Sequence, residues 1–406
     1  MSASRTAAAD VSQPAGTPGE VFLVFLRLGL TSFGGPVAHL GYFREDIVKR
    51  RQWLSEDAYA TLVALCQFLP GPASSQVGMA IGLMRAGMAG MAAAWLGFTL
   101  PSALIMLAFA YGVAGADAAG ISGGWLDGLK IAAAAIVADA VLGMARNLCP
   151  DRPRRTLALL AAAGAATLPG ALGQIGVIAF GAAAGLALLT GDGAPARAPG
   201  GHLPGRAASL VSLALFAVLL VGLPLIARIT GDGAVALFET LYRAGALVFG
   251  GGHVVLPLIE ADLVHPGGLT RETFLAGYGA AQAVPGPLFT FAAYVGAVMP
   301  SAPNGVAGSL VALVAMFLPS ALLVYGALRF WTALAANARI RRAMNGVNAA
   351  VVGLLGAAFW NPVVTSSVTS NVTFALALLA YLALALWRVP AWAVVLGAAG
   401  AGALLL

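Results

Sequence analysis

The sequence has few charged residues. Asp, Glu, Lys and Arg make up only 9% of its 406 residues, whereas they make up about 25% of a typical soluble domain. Hydrophobic residues make up 60%, and the mean hydropathy is +0.89. A soluble core cannot bury this share of apolar side chains, so the composition excludes a soluble globular protein and indicates a membrane protein.

Residues that carry chemistry are also scarce. The two cysteines, Cys66 and Cys149, are 83 residues apart and have no partner at metal-ligand spacing, so we interpret both as packing residues. The sequence has no Gly-rich nucleotide loop and no nucleophile elbow, and we predict no cofactor and no metal. An integral-membrane enzyme would need clustered acid–base groups, but the 16 acidic residues and four histidines are spread along the chain. The net charge of +6 reflects basic cytoplasmic loops and gives no reason to expect nucleic acid.

Long apolar stretches are what the sequence does contain. About 20 apolar residues span the hydrocarbon region as a helix, and strand-period alternation is absent, so we predict an all-α polytopic membrane protein with about thirteen transmembrane helices. The stretches cover 20–38, 57–84, 86–114, 125–148, 156–170, 171–190, 208–230, 235–257, 272–299, 304–330, 338–361, 371–387 and 391–406. Residues 1–19 are polar and predict a disordered tail rather than a signal peptide.

The chain repeats itself. The run "FLRLGLTSFGGP" at 25–36 matches "LYRAGALVFGGG" at 241–252, which aligns Arg27 with Arg243. A second block aligns Gln67 with Gln282, and "FTLPSAL" at 98–104 matches "MFLPSAL" at 316–322. The same offset aligns Pro70, Gly71 and Pro72 with Pro285, Gly286 and Pro287, and Glu45 with Glu260. Offsets that stay at 215–218 over three blocks indicate an internal duplication.

The duplication predicts a domain organisation. The first repeat covers 20–190, a loop and a linking helix cover 191–234, and the second repeat covers 235–406. Seven predicted crossings separate equivalent points, so the second repeat should be inverted relative to the first. Inverted repeats commonly bind substrate near the middle of the membrane, between the halves.

The distribution of basic residues tests this topology. With an interior N-terminus and thirteen crossings, 14 Lys and Arg residues fall in interior loops, five in exterior loops and three within helices. Four residues are discordant because they fall outside: Arg44, Lys49, Arg50 and Arg51. Re-entrant hairpins at the Pro-Gly-Pro segments, with an exterior N-terminus, give 12 inside and seven outside. We therefore predict thirteen crossings.

The two Pro-Gly-Pro triplets predict broken helices, because proline removes a backbone donor and glycine adopts dihedrals that other residues avoid. A break at membrane depth creates a half-helix N-terminus, which attracts anions. Polar residues follow the first triplet, namely Ser74, Ser75 and Gln76, whereas Leu288 and Phe289 follow the second. We expect the first half to contribute more to ligand binding. A proline kink that serves only packing is the alternative.

Glycine runs and charged residues supply the remaining candidates for the anion-binding site. Gly34, Gly35, Gly250 and Gly251 either interrupt helices beside the site or form smooth contact surfaces; His39 and His253 adjoin these runs. Arg27 and Arg243 either attract the anion, hold helices together by an ion pair or extend to the interface. Glu45 and Glu260 are candidate ion-pair partners or proton carriers. Arg85 either reaches the anion path or marks the cytoplasmic face.

At these residues the sequence resembles the chromate ion transporter family in its long, two-domain form. The resemblance rests on "SFGGPVAHLGYFREDIV" and "CQFLPGPASSQVGMAIG" in the first half. In the second half it rests on "FGGGHVVLPLIEADLV" and "FLAGYGAAQAVPGPLFTFAAYVG". It covers about 25–110 and 240–325.

The resemblance implies a secondary transporter that exports chromate, a sulfate-like oxyanion, across the bacterial inner membrane and confers chromate resistance. Its partners would be the anion and the lipid bilayer, and a homodimer is one assembly that the sequence allows. A transporter of sulfate or another oxyanion is the alternative on the same scaffold; a channel and an integral-membrane enzyme fit the residues less well.

Overall fold

The structure is a computed structural model that describes residues 16–33, 35–118, 123–168, 170–190, 203–249, 255–265, 267–331 and 337–406. All regular secondary structure in these ranges is helical, as predicted. Five of the described helices are long and apolar enough to cross a membrane, and five shorter apolar helices accompany them. The protein is therefore an all-helical, multi-pass membrane protein.

The first half contains seven helices. They are α1 (Pro18–Thr31), α2 (Gly35–Phe43, extended by a π-helical segment Arg44–Arg50), α3 (Glu56–Phe68), α4 (Ala73–Ala118), α5 (Gly124–Leu148), α6 (Arg152–Thr167) and α7 (Gly170–Leu188). Helix α4 bends sharply, since Ala86 and Gly87 have non-helical dihedrals. Gly82 and Gly90 then pack backbone against backbone, so the two arms of α4, 73–85 and 88–118, run antiparallel.

The remaining helices follow a linking helix. They are α8 (Arg206–Thr230), which links the halves, α9 (Gly233–Leu247), α10 (Val255–Leu263), α11 (Arg271–Ala281), α12 (Phe291–Ala297), α13 (Gly305–Ala327), α14 (Ala338–Ala358), α15 (Thr365–Ser367), α16 (Asn371–Tyr381) and α17 (Ala391–Leu405). Pro18 and Gly19 begin α1, so they do not belong to the predicted tail, and residues 1–15 of that tail lie outside the described residues.

Helix starts follow from local sequence. Thr17, Ser55, Asp151 and Thr270 precede α1, α3, α6 and α11, and each side chain accepts a hydrogen bond from a backbone N–H in the first turn. Such caps satisfy donors that have no partner within the helix. Pro18 lies in the first turn of α1, where proline costs no hydrogen bond.

Four predicted segments contain two helices each rather than one. These segments are 20–38, 57–84, 235–257 and 272–299. The breaks at Pro-Gly-Pro are confirmed, because α3 ends at Phe68 and α4 begins at Ala73, while α11 ends at Ala281 and a short 3₁₀ turn begins at Leu288. The stretch between α1 and α2 also interrupts the helix, which supports the interpretation of this glycine run as a discontinuity.

The first-half helices form two hairpins that open at the same end. Arg85, at the end of the first arm of α4, pairs with Glu20 in α1, Nη2 to Oε2 at 3.3 Å. The Arg85 guanidinium also lies 5.0 Å from the ring centroid of Trp53, between α2 and α3. We call this meeting point the Arg85 end. The break between α1 and α2 and the Pro-Gly-Pro break are thus the two hairpin tips.

The second half repeats this arrangement. Gly233, at the start of α9, packs against the backbone of Ala302, just before α13. The Tyr294 hydroxyl in α12 donates to the Thr273 carbonyl in α11, at 3.0 Å, so these helices also run side by side. The tips of these hairpins are the segment after Leu247 and the Pro285–Pro287 triplet.

The helices outside the hairpins pack against helices of the other half. Helix α5 packs along α17, where Gly128 meets the backbone of Ala398, and α14 packs along α6 and α7, where Gly346 meets Gly181. Small residues let these backbones approach closely, as is typical of membrane helices. Helix α8 covers α13 and α9, whereas no described helix covers the corresponding face of α1.

Candidate functional site

The tips of the two halves close on each other. The Gly71 amide donates to the Val248 carbonyl at 2.7 Å, and the Gly286 amide donates to the Ser32 carbonyl at 2.9 Å. Gly71 aligns with Gly286 and Ser32 with Val248 in the repeat, so the two bonds are equivalent. The glycine amide in each Pro-Gly-Pro break therefore donates its hydrogen bond to the other half.

Both central glycines are required by their surroundings. Gly71 has φ +122° and Gly286 has φ +95°, which side chains rarely adopt. A Cβ on Gly71 would collide with Ser320 Oγ and Gln76 Nε2, and one on Gly286 would lie 2.9 Å from Ser102 Oγ. Ser102 and Ser320 are the matching serines of the two "LPSAL" runs, so each triplet also lies against the other half's proline-containing helix.

Polar side chains gather at the first-half tips. Ser74 and Ser75 occupy the first turn of α4 and are 2% and 3% exposed. His39 in α2 is 1% exposed, and its Nδ1 lies 3.3 Å from Ser74 Oγ. Gln76 donates from Nε2 to the Pro70 carbonyl at 2.6 Å and thereby fixes the shape of the break. The half-helix N-terminus thus lies among buried hydroxyl, imidazole and amide groups.

Several of these groups lack a hydrogen-bonding partner. In the described part of the chain, the buried side-chain atoms without one include Ser32 Oγ, His39 Nε2, Ser75 Oγ, Gln76 Oε1, Thr99 Oγ1 and Gln282 Nε2. Buried polar atoms are normally paired, so an unpaired group needs an explanation. A cluster of such atoms at the breaks is typical of a site that binds a polar ligand.

The second half offers far fewer polar groups at the equivalent positions. The offset of each block aligns His39 with Val255, Ser74 with Phe289, Gln76 with Phe291 and Thr99 with Phe317. Phe289 and Phe317 contact each other, with ring centroids 6.3 Å apart. The polarity around the breaks therefore comes mainly from the first half, and aromatic packing replaces it in the second.

A cavity of about 150 Å³ adjoins the tips. It is lined by Gly35, Ile136, Asp139, Ala140, Gln282, Leu384 and Ala391. Gly35 and Gln282 belong to breaks of different halves, and the remaining residues come from α5, from the segment between α16 and α17, and from the start of α17. The cavity thus connects both tips with the side of α5.

The two matched arginines have different surroundings. Arg243 is partly buried and pairs with Glu239 at 2.6 Å and with Asp262 at 2.9 Å, so it joins α9 to α10. Arg27 is exposed on the α1 face that also carries the exposed Leu23 and Leu30. The structure therefore gives Arg243 the ion-pair role and does not bring Arg27 to the tips.

The other charged candidates lie in ion pairs away from the tips. Glu45 pairs with Lys49 within the π-helical segment after α2, and Glu260 pairs with Arg271 across the α10–α11 connection. Arg85 lies at the far end of its arm from the Pro-Gly-Pro break. Gln67, unlike Gln282, is exposed.

Two groups of residues remain. The first group consists of predicted site residues that lie outside the described ranges, and the second consists of site residues that the sequence did not predict. Gly34, Gly250, Gly251 and His253 belong to the first group. Ser32, Thr99 and Asp139 belong to the second, because a single polar residue in an apolar stretch forms no periodic pattern. The match between the two "LPSAL" runs was the one sequence feature that could have pointed to Ser102 and Ser320.

Comparison with known proteins agrees with this architecture. The chromate transporter family model matches residues 19–186 and 235–403. The chain is 31% identical to the chromate transport protein of Pseudomonas aeruginosa, over 83% of this chain and 79% of that protein. It is 30% identical to the probable chromate transport protein of Synechococcus elongatus, over 82% and 81%. It is 27% identical to the chromate transport protein of Cupriavidus metallidurans, over 94% and 90%.

No solved structure matches the chain. The two ranges of the family match correspond to the two repeats, and each contains one of the paired Pro-Gly-Pro breaks. On the family match over most of the chain and the identity to its relatives, this chain belongs to the chromate transporter family.

Proposed function

We propose that this protein is a secondary transporter that exports chromate across the bacterial inner membrane and thereby confers chromate resistance. The observation that carries the proposal is the cluster of buried, unpaired polar groups around the first-half tips. A tetrahedral oxyanion offers only acceptors, and five of the six unpaired atoms named above can donate: the hydroxyls of Ser32, Ser75 and Thr99, His39 Nε2 and Gln282 Nε2. The sixth, Gln76 Oε1, is an acceptor. Membership of a transporter family and its bacterial relatives support the function and the location.

The two halves, in this proposal, are inverted repeats. Gly305, at the start of α13, lies against Tyr111 near the end of the long arm of α4, which begins at the Arg85 end. Twenty-four residues from 87 to 111 correspond to about 36 Å of helix. This separation supports hairpins that enter from opposite membrane faces. Four re-entrant hairpins and nine crossing helices then account for the thirteen apolar segments. Five crossings separate equivalent points of the two repeats, and because five is an odd number the second repeat is inverted relative to the first.

Basic residues support the same topology. Of the 20 described Lys and Arg residues, 15 fall on the side of the Arg85 end, two fall on the opposite side and three lie within helices. The 15 are Arg44, Lys49, Arg50, Arg51, Arg85, Arg146, Arg152, Arg154, Arg155, Arg206, Arg329, Arg339, Arg341, Arg342 and Arg388. The positive-inside rule then assigns the Arg85 end to the cytoplasm. Re-entrant hairpins thus remove the conflict at Arg44–Arg51.

Labelling of single cysteines tests this topology. In a background with Cys66 and Cys149 replaced by Ala, we expect Thr230→Cys to react with a membrane-impermeant maleimide in intact cells. Lys49→Cys should react only after the membrane is permeabilised, since it lies at the Arg85 end. Labelling of Lys49→Cys in intact cells would contradict the proposed orientation.

The membrane potential is sufficient to drive export. An inside-negative potential of 100 mV is worth about 2.3 kcal/mol per charge, so a dianion that moves outward gains about 4.6 kcal/mol. This gain corresponds to a little over three decades of concentration. Outward transport therefore needs no nucleotide hydrolysis.

Loss of a hydrogen-bond donor at the site should weaken binding of the anion. We expect Ser75→Ala to raise the apparent KM for chromate uptake into inverted vesicles by about 10-fold or more, because a hydrogen bond to a charged group contributes about 1.5–3 kcal/mol. Ser209→Ala is the matched control, since Ser209 Oγ is also buried and unpaired but lies in the linking helix α8. An unchanged KM in Ser75→Ala, or an equal change in Ser209→Ala, would remove the first-half cluster from the site.

Sulfate is the second candidate substrate, because its shape and acceptor groups match those of chromate. Competition in the same vesicles separates the two. Complete inhibition of chromate uptake by a large excess of sulfate would favour a general oxyanion transporter over one dedicated to chromate.

A further inference from the structure

Asp139 is an acidic residue in the interior of a long apolar helix. It lies 15 residues after the start of α5 and nine before its end, in a helix apolar enough to cross a membrane. Ionisable residues at such depth are costly and usually serve a function. The repeat places no acid at the equivalent position, since the offset of 218 from the "LPSAL" block aligns Asp139 with Ala357. A structural role common to both halves does not explain it.

The surroundings of Asp139 leave its carboxylate without a charged partner. Asp139 is exposed on α5 and lines the 150 Å³ cavity, and the other six lining residues carry no titratable group. Lys130, on the same helix, pairs with Asp127 instead. Among the described residues Asp139 has no ion pair and no side-chain hydrogen bond.

Other ionisable groups belong to the elements packed around α5. Those on α11, α14, α16 and the turn before α17 are Arg271, Glu272, Tyr278, Arg339, Arg341, Arg342, Tyr381 and Arg388, and α17 itself has none. The nearest on α5 itself is Arg146, two turns further along. None of them forms an ion pair with Asp139.

The same cavity reaches the breaks. Gly35 and Gln282 line it, and the buried Gln282 Nε2 has no partner there. An oxyanion held at the tips would therefore share this cavity with the Asp139 carboxyl. Two negative charges in one cavity repel each other, whereas a neutral carboxyl can donate a hydrogen bond to the anion.

We infer that Asp139 is a proton site linked to the oxyanion site, and that a proton binds to its carboxyl when the anion enters. This inference rests on the proposed function, since it assumes that an oxyanion binds at the tips. By linkage, protonation must raise anion affinity by the same factor by which the anion raises proton affinity. The proton then moves with the anion, which lowers the charge carried per transport cycle by one.

The test is anion binding to the purified full-length protein, measured by titration calorimetry between pH 6 and pH 8. Chromate and sulfate serve as probes, and buffers of different ionisation enthalpy report the protons taken up. We expect wild-type affinity to fall as pH rises, by up to about tenfold per pH unit for one linked proton, and Asp139→Asn to bind sulfate with no such dependence and no proton uptake. Protonation of chromate itself would affect both proteins equally.

Two further variants complete the test. Asp139→Glu should retain the dependence on pH, and Asp127→Asn, which removes an α5 carboxylate already paired with Lys130, should behave as wild type. A wild-type pH slope in Asp139→Asn, or loss of binding at every pH in that variant, would overturn the inference. Failure of the wild-type protein to bind either anion would instead overturn the proposed function itself.

Discussion

Replacement of Arg243 by Gln is expected to destabilise the folded protein by about 3–5 kcal/mol, because removal of one member of a buried ion pair leaves an uncompensated charge. Arg243 holds two carboxylates, those of Glu239 and Asp262, and the three side chains are only 16%, 11% and 21% exposed. Both carboxylates would lose their cationic partner. The measurement is the thermal midpoint of the detergent-solubilised protein, followed by the monodisperse fraction after heating.

Arg27→Gln is the matched control for this prediction. Arg27 occupies the equivalent position but is exposed and has no ion pair among the described residues. Its removal should change stability by no more than about 0.5 kcal/mol, as is usual for an exposed position. Equal losses in both variants would show that the Glu239–Arg243–Asp262 cluster does not stabilise the second half.

Gly71→Ala and Gly286→Ala are expected to lower chromate transport at least tenfold. A side chain at either position meets a strained φ, which costs about 1–3 kcal/mol, and crowds Ser320 or Ser102 of the opposite half. The hydrogen bonds from Gly71 to Val248 and from Gly286 to Ser32 should lengthen as the tips separate. The measurement is chromate uptake into inverted vesicles, normalised to the amount of folded protein.

Gly112→Ala and Gly222→Ala provide the controls, since neither residue has a positive φ and a Cβ at either would meet no atom within 4 Å. Both should transport as wild type does. Normal transport by Gly71→Ala would mean that the reciprocal contact between the tips is not needed for function.

Local chemistry made the breaks predictable, because proline and glycine act on the residues beside them. The start of α4 at Ala73 and the richness of its first turn in polar residues could be read from the sequence. The closure of Gly71 on Val248 could not, since it joins residues 177 positions apart through folding of the whole chain. Internal repetition located equivalent residues but did not indicate which of them meet.

The arginines show a second limit of sequence reasoning. Arg27 and Arg243 occupy the same place in the repeat, yet the contacts of one are not those of the other. Position 23, one turn before Arg27, is leucine, whereas the matching position before Arg243 is Glu239. Helix α8 covers α9 but has no counterpart over α1 among the described helices. A helical face becomes interior or exterior only through its neighbours, and periodicity within one helix does not identify them.

The reciprocal bonds between the tips constrain how this protein can evolve. After a duplication the two copies of a gene segment usually diverge independently. The tips cannot, because a substitution that reshapes one break changes the support of the other. A change in one triplet therefore alters the contacts of both halves, while the residues beside the triplets already differ, polar after the first and aromatic after the second. Polarity could be lost from one copy and kept in the other without loss of the shared framework.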